Sequence, residues 1–284
     1  MTDRAHSHTA TNNRDYAVAL GRAFAGATIF SLPLLMTMEM WWLGHYLSPW
    51  RLLQFNIANL AMLYGLSRAA GFEETHNRID DLLDAFAAYA VAALVSLAFL
   101  LLLGVIGPLT SLHEAAGKIA IQAVPASFGA MIGARMLGEG EDIEQQEQWR
   151  DTYQGQLFLY AAGALFLSFT MAPTEEIILI SFQISAWHAL VMVLLSILLL
   201  HAILYLVQFP GQESRTAGGR EAHRGISLFV RHSIPGYAIA VMVAFYILWT
   251  FGRTDGLDVA HVVMAVAVLG FPAAIGAGIA RVVV

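Results

Sequence analysis

Long apolar stretches alternate with short polar segments along the whole chain. Each stretch is about 20 residues long or longer, which is the length that an α-helix needs to cross the hydrocarbon core of a bilayer. Segments of this kind predict eight membrane-spanning helices, at Tyr16–Gly44, Pro49–Ala69, Leu83–Ile106, Ala115–Leu137, Tyr153–Phe182, Ala186–Val207, Leu228–Phe251 and Val259–Ala280. The fourth contains Gln122 and Pro125, and the alternative for it is a helix lying at the membrane interface.

The composition agrees with a membrane protein and excludes several other classes. Hydrophobic residues make up 58% of the 284-residue chain and charged residues 13%, whereas about 25% of the residues of a soluble domain are charged. Cysteine is absent, which excludes disulfides and thiolate metal sites. The sequence carries no Gly-rich nucleotide loop, serine-elbow motif or Asp-rich metal motif. We therefore expect no cofactor and no nucleic-acid partner, and assign neither catalytic residues nor metal ligands.

Basic residues are distributed unevenly between the two sides of the predicted bundle. With eight spans, 12 of the 15 basic residues lie on the side of the termini, and only Arg51, Lys118 and Arg253 lie on the other. If the fourth and eighth stretches did not span, the count would become 7 against 8. Because cytoplasmic loops of membrane proteins are enriched in Lys and Arg, both termini are predicted to be cytoplasmic. Five of the six tryptophans fall at predicted outer helix ends, as amphipathic rings prefer.

The two halves of the chain resemble each other. A shift of 137 residues aligns the first and fifth stretches without gaps, so that Tyr16, Leu20, Ala25, Gly26, Ala27, Ser31, Thr37 and Glu39 fall on Tyr153, Leu157, Ala162, Gly163, Ala164, Ser168, Thr174 and Glu176. The fourth and eighth stretches match with a one-residue gap, from Val124 to Arg135 against Phe271 to Arg281. Chance alignment explains the small residues but not the recurrence of Tyr, Thr and Glu.

Duplication predicts an all-α membrane protein of two tandem four-helix repeats. Repeats that keep their orientation are related by a pseudo-twofold axis along the membrane normal. The predicted organisation is a polar N-terminal tail (1–15), a first repeat (16–137), a charged cytoplasmic linker (138–152) and a second repeat (153–284).

Three carboxylates lie inside apolar stretches: Glu39, Glu175 and Glu176. A charge in hydrocarbon is costly, so such residues usually face a bundle interior or water and mark an ion path. Each site follows a proline that predicts a helix break, Pro33 before Glu39 and Pro173 before Glu176. A proline also frees a backbone carbonyl, which becomes a cation ligand where it lines a cavity.

Threonines accompany these glutamates at equivalent positions of the repeat. Thr37 precedes Glu39 by two residues, and Thr174 precedes Glu176 by two. Their hydroxyls either support the glutamates or bond to their own backbone, as threonines in helices often do.

We interpret these residues as a cation path, which predicts a cation channel or a cation/proton exchanger. The repeat axis brings Glu39 and Glu176 face to face, and a homodimer around one pore presents a ring of carboxylates like those of cation channels. Lipid, inorganic cations and a second copy of the chain are the predicted partners. In one alternative the glutamates reach the outer interface without an ion path, and in another Lys118, the only lysine, pairs with one of them.

Two other functions remain open at this point. The pair Glu175-Glu176 resembles the paired glutamates of CAAX-type intramembrane peptidases, which implies an intramembrane hydrolase. Those proteins carry an arginine four residues after the second glutamate, where this chain has Ile180. The other alternative is a non-transporting sensor or scaffold whose charged loops bind a partner.

The segments MTMEMWWLG (36–44) and PTEEI (173–177) carry a family resemblance. The chain resembles a family of uncharacterised bacterial multi-pass integral membrane proteins of unknown function. The resemblance implies a bacterial inner membrane, and it transfers no activity and no residue roles.

Overall fold

In the computed structural model, residues 3–70, 78–136, 152–208 and 228–283 are described, and no β-strand occurs among them. They form ten α-helices: α1 Asp3–Leu35, α2 Met38–Tyr46, α3 Pro49–Ala70, α4 Arg78–Leu102, α5 Leu112–Met136, α6 Tyr153–Met171, α7 Glu176–Gln183, α8 Ala186–Gln208, α9 Ile234–Thr250 and α10 Val259–Val283. A π-helical turn, Phe229–Ser233, leads directly into α9.

The chain divides into two compact units, Met1–Glu147 (unit 1) and Gln148–Val284 (unit 2). The predicted linker 138–152 lies outside the described residues except for Thr152. Helix α1 begins at Asp3, so most of the predicted polar tail is helical.

Six described helices are long and apolar enough to cross a membrane: α1, α4, α5, α8, α9 and α10, with α9 counted from its π-helical turn. Helices α6 and α7 together make a seventh candidate, interrupted by a bend of 89°. Helix α5, the doubtful fourth stretch, is among the six. Helix α3 is also long enough to cross a membrane, but its polar residues make it less apolar than these six helices. The chain is therefore an all-helical, multi-pass membrane protein.

The predicted first and fifth stretches each consist of two helices, separated by a break close to the proline in the stretch. Helix α1 ends at Leu35 and α2 begins at Met38, with Pro33 in the last turn of α1. Helix α6 ends at Met171 and α7 begins at Glu176, with Pro173 between them. Hydropathy does not detect these breaks because the side chains on either side of them are apolar.

Each unit is built around its last helix. In unit 1, α1, α2, α3 and α4 all pack on α5, and in unit 2, α6, α7, α8 and α9 all pack on α10. The two units thus contain the same order of elements: a long helix, a break, a short helix and three further helices. In unit 1, α4 also contacts α1 and α3, and in unit 2, α9 also contacts α6 and α8.

Glycines allow close helix crossings in both units. A Cβ on Gly26 of α1 would lie 2.3 Å from the carbonyl oxygen of Gly129 in α5. A Cβ on Gly163 of α6 would lie 2.1 Å from the carbonyl oxygen of Gly276 in α10. Small residues commonly allow membrane helices to approach in this way. At both crossings the backbones are in direct contact.

Polar groups inside unit 1 bond to one another. The amide of Asn59 on α3 is buried and donates to the hydroxyl of Ser127 on α5 at 3.0 Å. The hydroxyl of Tyr89 on α4 donates to Asn56 on α3 at 2.5 Å. These bonds remove much of the cost of placing amides in an apolar environment.

Candidate functional site

Glu39 lies in the first turn of α2, immediately after the break in unit 1, and it is half-buried. The end of α1 has carbonyl groups without helical partners, and nearby side chains bond to them. The Thr37 hydroxyl donates to Leu34 at 2.8 Å and the Trp41 indole to Leu35 at 2.7 Å. These bonds hold the start of α2, and with it Glu39, against the end of α1.

The break in unit 2 carries the corresponding residues. Glu175 precedes α7 and Glu176 is its first residue, and both side chains are exposed. The Thr174 hydroxyl donates to the carbonyl of Met171 at 2.8 Å, the same bond as that from Thr37 to Leu34 at the equivalent positions. It also lies within hydrogen-bonding reach of Glu176, although its single proton serves one acceptor at a time.

Arg253, in the loop between α9 and α10, reaches the break in unit 2. Its guanidinium donates to the carbonyl of Pro173 and lies 3.7 Å from the carboxylate of Glu175. The arginine side chain is 14% exposed and that of Glu175 is 84% exposed. A cationic group therefore occupies a backbone carbonyl within the break.

Both sites place a carboxyl side chain at the start of a helix. Unpaired backbone N–H groups give the first turn of a helix a partial positive charge, which stabilises an acidic side chain there. Glu39 and Glu176 are both first-turn residues. Glu39 belongs to unit 1 and Glu176 to unit 2, so the face-to-face arrangement remains a prediction. No group of three or more acidic or histidine residues suited to a metal occurs among the described residues.

A cleft of about 490 Å³ opens in unit 1, at the end predicted to face outward. Its walls are Trp41, Trp42 and His45 of α2, Glu114 and Lys118 of α5, and the loop at 103–105 that follows α4.

Two glycines explain why these elements meet. A Cβ on Gly44 would lie 2.6 Å from the Cα of Lys118, so α2 crosses α5 with the backbones in contact. Gly104 ends α4 with a positive φ of 70°, and the N–H of Val105 returns to the carbonyl of Leu100 at 2.9 Å. This left-handed helix end turns the chain so that the carbonyl of Val105 comes within reach of Lys118.

Lys118 and Glu114 form the charged part of the cleft. The Lys118 ammonium donates to Glu114 Oε1 at 2.6 Å and to the Val105 carbonyl at 3.2 Å. His45 Nδ1 lies 4.0 Å from the same carboxylate oxygen. Lys118 is buried, with 9% of its surface exposed. The glutamate that pairs with the lysine is thus Glu114, rather than one of the three singled out in the sequence.

The cleft was missed by the sequence reasoning, although a signal for part of it was present. Glu114 and Lys118 are four residues apart, a spacing that favours an ion pair along a helix. Their proximity to Trp41, Trp42 and His45 depends on the crossing of α2 and α5, which no local pattern reveals.

The fold, the buried helix crossings and the membrane-length apolar helices define the class: a multi-pass, all-helical integral membrane protein. The comparison with protein families matches residues 19–284 to the family described as "Putative integral membrane protein (DUF2391)". The match covers most of the chain, which therefore belongs to this family. Comparisons with curated proteins and with solved structures found no match.

Proposed function

We propose that the protein is a membrane transport protein for inorganic cations, a channel or a cation/proton exchanger, whose path runs past Glu39 and Glu176. The observation that carries the proposal is the interrupted helix in each unit, with a carboxylate in the first turn after the interruption. Transporters commonly build ion sites at discontinuous helices because the break exposes backbone carbonyls and helix ends.

Charge at the break of unit 2 supports this proposal. The carbonyl of Pro173 and the carboxylate of Glu175 together hold the guanidinium of Arg253. The break is thus already a favourable place for a positive charge. The hydroxyls of Thr174 and Thr37 bond to backbone carbonyls. In this proposal the two threonines therefore stabilise the breaks and do not coordinate the cation.

Correspondence between the units supports an internal duplication with a pseudo-twofold axis along the membrane normal. The glycine crossings and the threonine bonds lie at positions that the repeat alignment makes equivalent. Helices α4 and α9 also end alike, because Gly104 and Gly252 both have positive φ, 70° and 72°. Each is followed by an N–H bond back five residues, from Val105 at 2.9 Å and from Arg253 at 2.8 Å.

We further propose that α3 also crosses the membrane, which brings the number of spans to eight. Both termini are then cytoplasmic, in a bacterial inner membrane. The helix has 22 residues and is therefore about 33 Å long at ~1.5 Å per residue, enough for a hydrocarbon core of about 30 Å. Its Asn56 and Asn59 bond inside unit 1, which reduces the cost of spanning. The homodimer remains a prediction.

The proposal is tested by ion flux into proteoliposomes that contain the purified protein. Gradients of K⁺, Na⁺, Ca²⁺ and H⁺ are applied with membrane voltage of either sign. Glu39→Gln and Glu176→Gln should each reduce the flux to the level of protein-free liposomes, because each removes a charge from the path. Asp80→Asn is the control, because it removes a carboxylate from the first turn of α4, outside both breaks, and should leave most of the flux intact.

Flux of no cation under any gradient would refute transport. Flux that both glutamine variants leave unchanged would refute the path. Loss of flux in Glu176→Gln with Glu39→Gln unaffected would confine the path to unit 2 and refute its passage past Glu39. Dependence of cation flux on a proton gradient separates an exchanger from a channel.

A further inference from the structure

The cleft of unit 1 has the size and the chemistry of a small-molecule site. Its volume of about 490 Å³ lies within the range of about 300–1,000 Å³ that is usual for ligand pockets. A dehydrated metal ion would fill only a small part of it. An organic molecule is therefore the occupant that the volume favours.

The charged wall of the cleft has unused bonding capacity of both signs. An ammonium group has three donors, and among the described residues Lys118 uses two of them, on Glu114 and the carbonyl of Val105. The contacts of Glu114 with Lys118 and His45 both go to Oε1, and Oε2 has no hydrogen bond within the described part of unit 1. The pair thus presents one free donor and one free carboxylate oxygen side by side.

Another part of the cleft wall is aromatic. Trp41 and Trp42 line the cleft, and the Trp42 ring lies edge to face with His45 at a centroid distance of 6.4 Å. The Trp41 N–H is already bonded to Leu35, so its ring offers mainly its π face. Among aromatic side chains, the indole face attracts ammonium groups most strongly.

We propose that the cleft binds a small zwitterionic solute that carries an ammonium and a carboxylate a few bonds apart. The solute's carboxylate accepts from Lys118, and its ammonium lies between the free oxygen of Glu114 and the tryptophan rings. A zwitterion fits better than a simple ion because Lys118 and Glu114 are of opposite charge and already neutralise each other. Neither residue has to give up its partner when such a solute enters.

The test is calorimetric titration of the full-length protein in detergent with glycine and glycine betaine as zwitterions. Tetramethylammonium and acetate serve as the matching single ions. Saturable binding of a zwitterion, with either single ion at least about tenfold weaker, is expected from the loss of one charged hydrogen bond or contact. Failure of both zwitterions to bind, or equal binding of a single ion, would overturn the proposal.

Variants assign the binding to this cleft. Lys118→Met should weaken zwitterion binding about tenfold or more, because a bond to a charged group is lost. Should that variant not fold, Trp42→Ala provides the test, since its side chain is 55% exposed. The expected weakening for Trp42→Ala is about two- to tenfold, from the lost cation–π contact.

Trp50→Ala is the control, because Trp50 is 65% exposed on α3 and outside the cleft. Equal loss in the Trp50 and Trp42 variants would refute the assignment. The measurement involves no ion flux, so it can fail while transport past Glu39 and Glu176 succeeds, and the reverse also holds.

Discussion

Gly26 provides a sharp test of the helix crossing in unit 1. In Gly26→Ala the new Cβ would lie 2.3 Å from the carbonyl oxygen of Gly129 and 2.6 Å from the Cα of Gly133. Ordinary van der Waals contact begins at 3.4 Å, so α1 and α5 would have to separate by about 1.1 Å locally. Overpacking usually costs about 1–3 kcal/mol, and the upper end is expected because both obstacles are backbone atoms that cannot rotate away.

Gly21→Ala is the matched control, since it lies on the same helix with nothing within 4 Å of the added Cβ. It should gain up to about 1 kcal/mol from the higher helix propensity of alanine. The free energy of unfolding of both variants is measured in mixed micelles by titration with dodecyl sulfate, followed by tryptophan fluorescence. A Gly26 variant within about 1 kcal/mol of the Gly21 variant would refute the backbone crossing, because the overpacking cost would then lie below its usual range of about 1–3 kcal/mol.

Two further predictions concern side-chain hydrogen bonds in unit 1. Trp41→Phe keeps an aromatic ring but removes the N–H that donates to the carbonyl of Leu35. The free energy of unfolding in the same titration should therefore fall by about 1–3 kcal/mol. An unchanged value would mean that water replaces the indole N–H. Ser127→Ala leaves the buried amide of Asn59 without its partner and should cost about 1–3 kcal/mol. Adding Asn59→Leu should recover part of that loss, and a further additive loss would contradict the pairing.

The sequence predicts membrane helices well where apolar character and helix length coincide. The eighth stretch was predicted at Val259–Ala280, and α10 spans Val259–Val283. Within the first and fifth stretches hydropathy alone shows no interruption, because it measures which residues prefer lipid and carries no information on backbone direction. Pro33 and Pro173 were the available signals, since proline removes a helical hydrogen bond.

The candidate site was predictable only in its local parts. Thr37 and Glu39 are two residues apart, so their placement around one break follows from the sequence. The cleft joins α2 to the start of α5 and the end of α4, and its charged pair, Glu114 and Lys118, lies more than 60 residues from Trp41. Such a meeting depends on the contact of Gly44 with α5, a tertiary feature that hydrophobic periodicity does not encode.

The central position of the last helix in each unit has a consequence for biosynthesis. Helices α1 to α4 leave the ribosome before α5, the helix on which all four pack. At about 5–20 residues per second, the chain from Leu102 to Met136 takes several seconds to synthesise. During that interval the first four helices lack their common partner. The nascent unit therefore closes only when α5 enters the membrane, and the same delay recurs when unit 2 waits for α10.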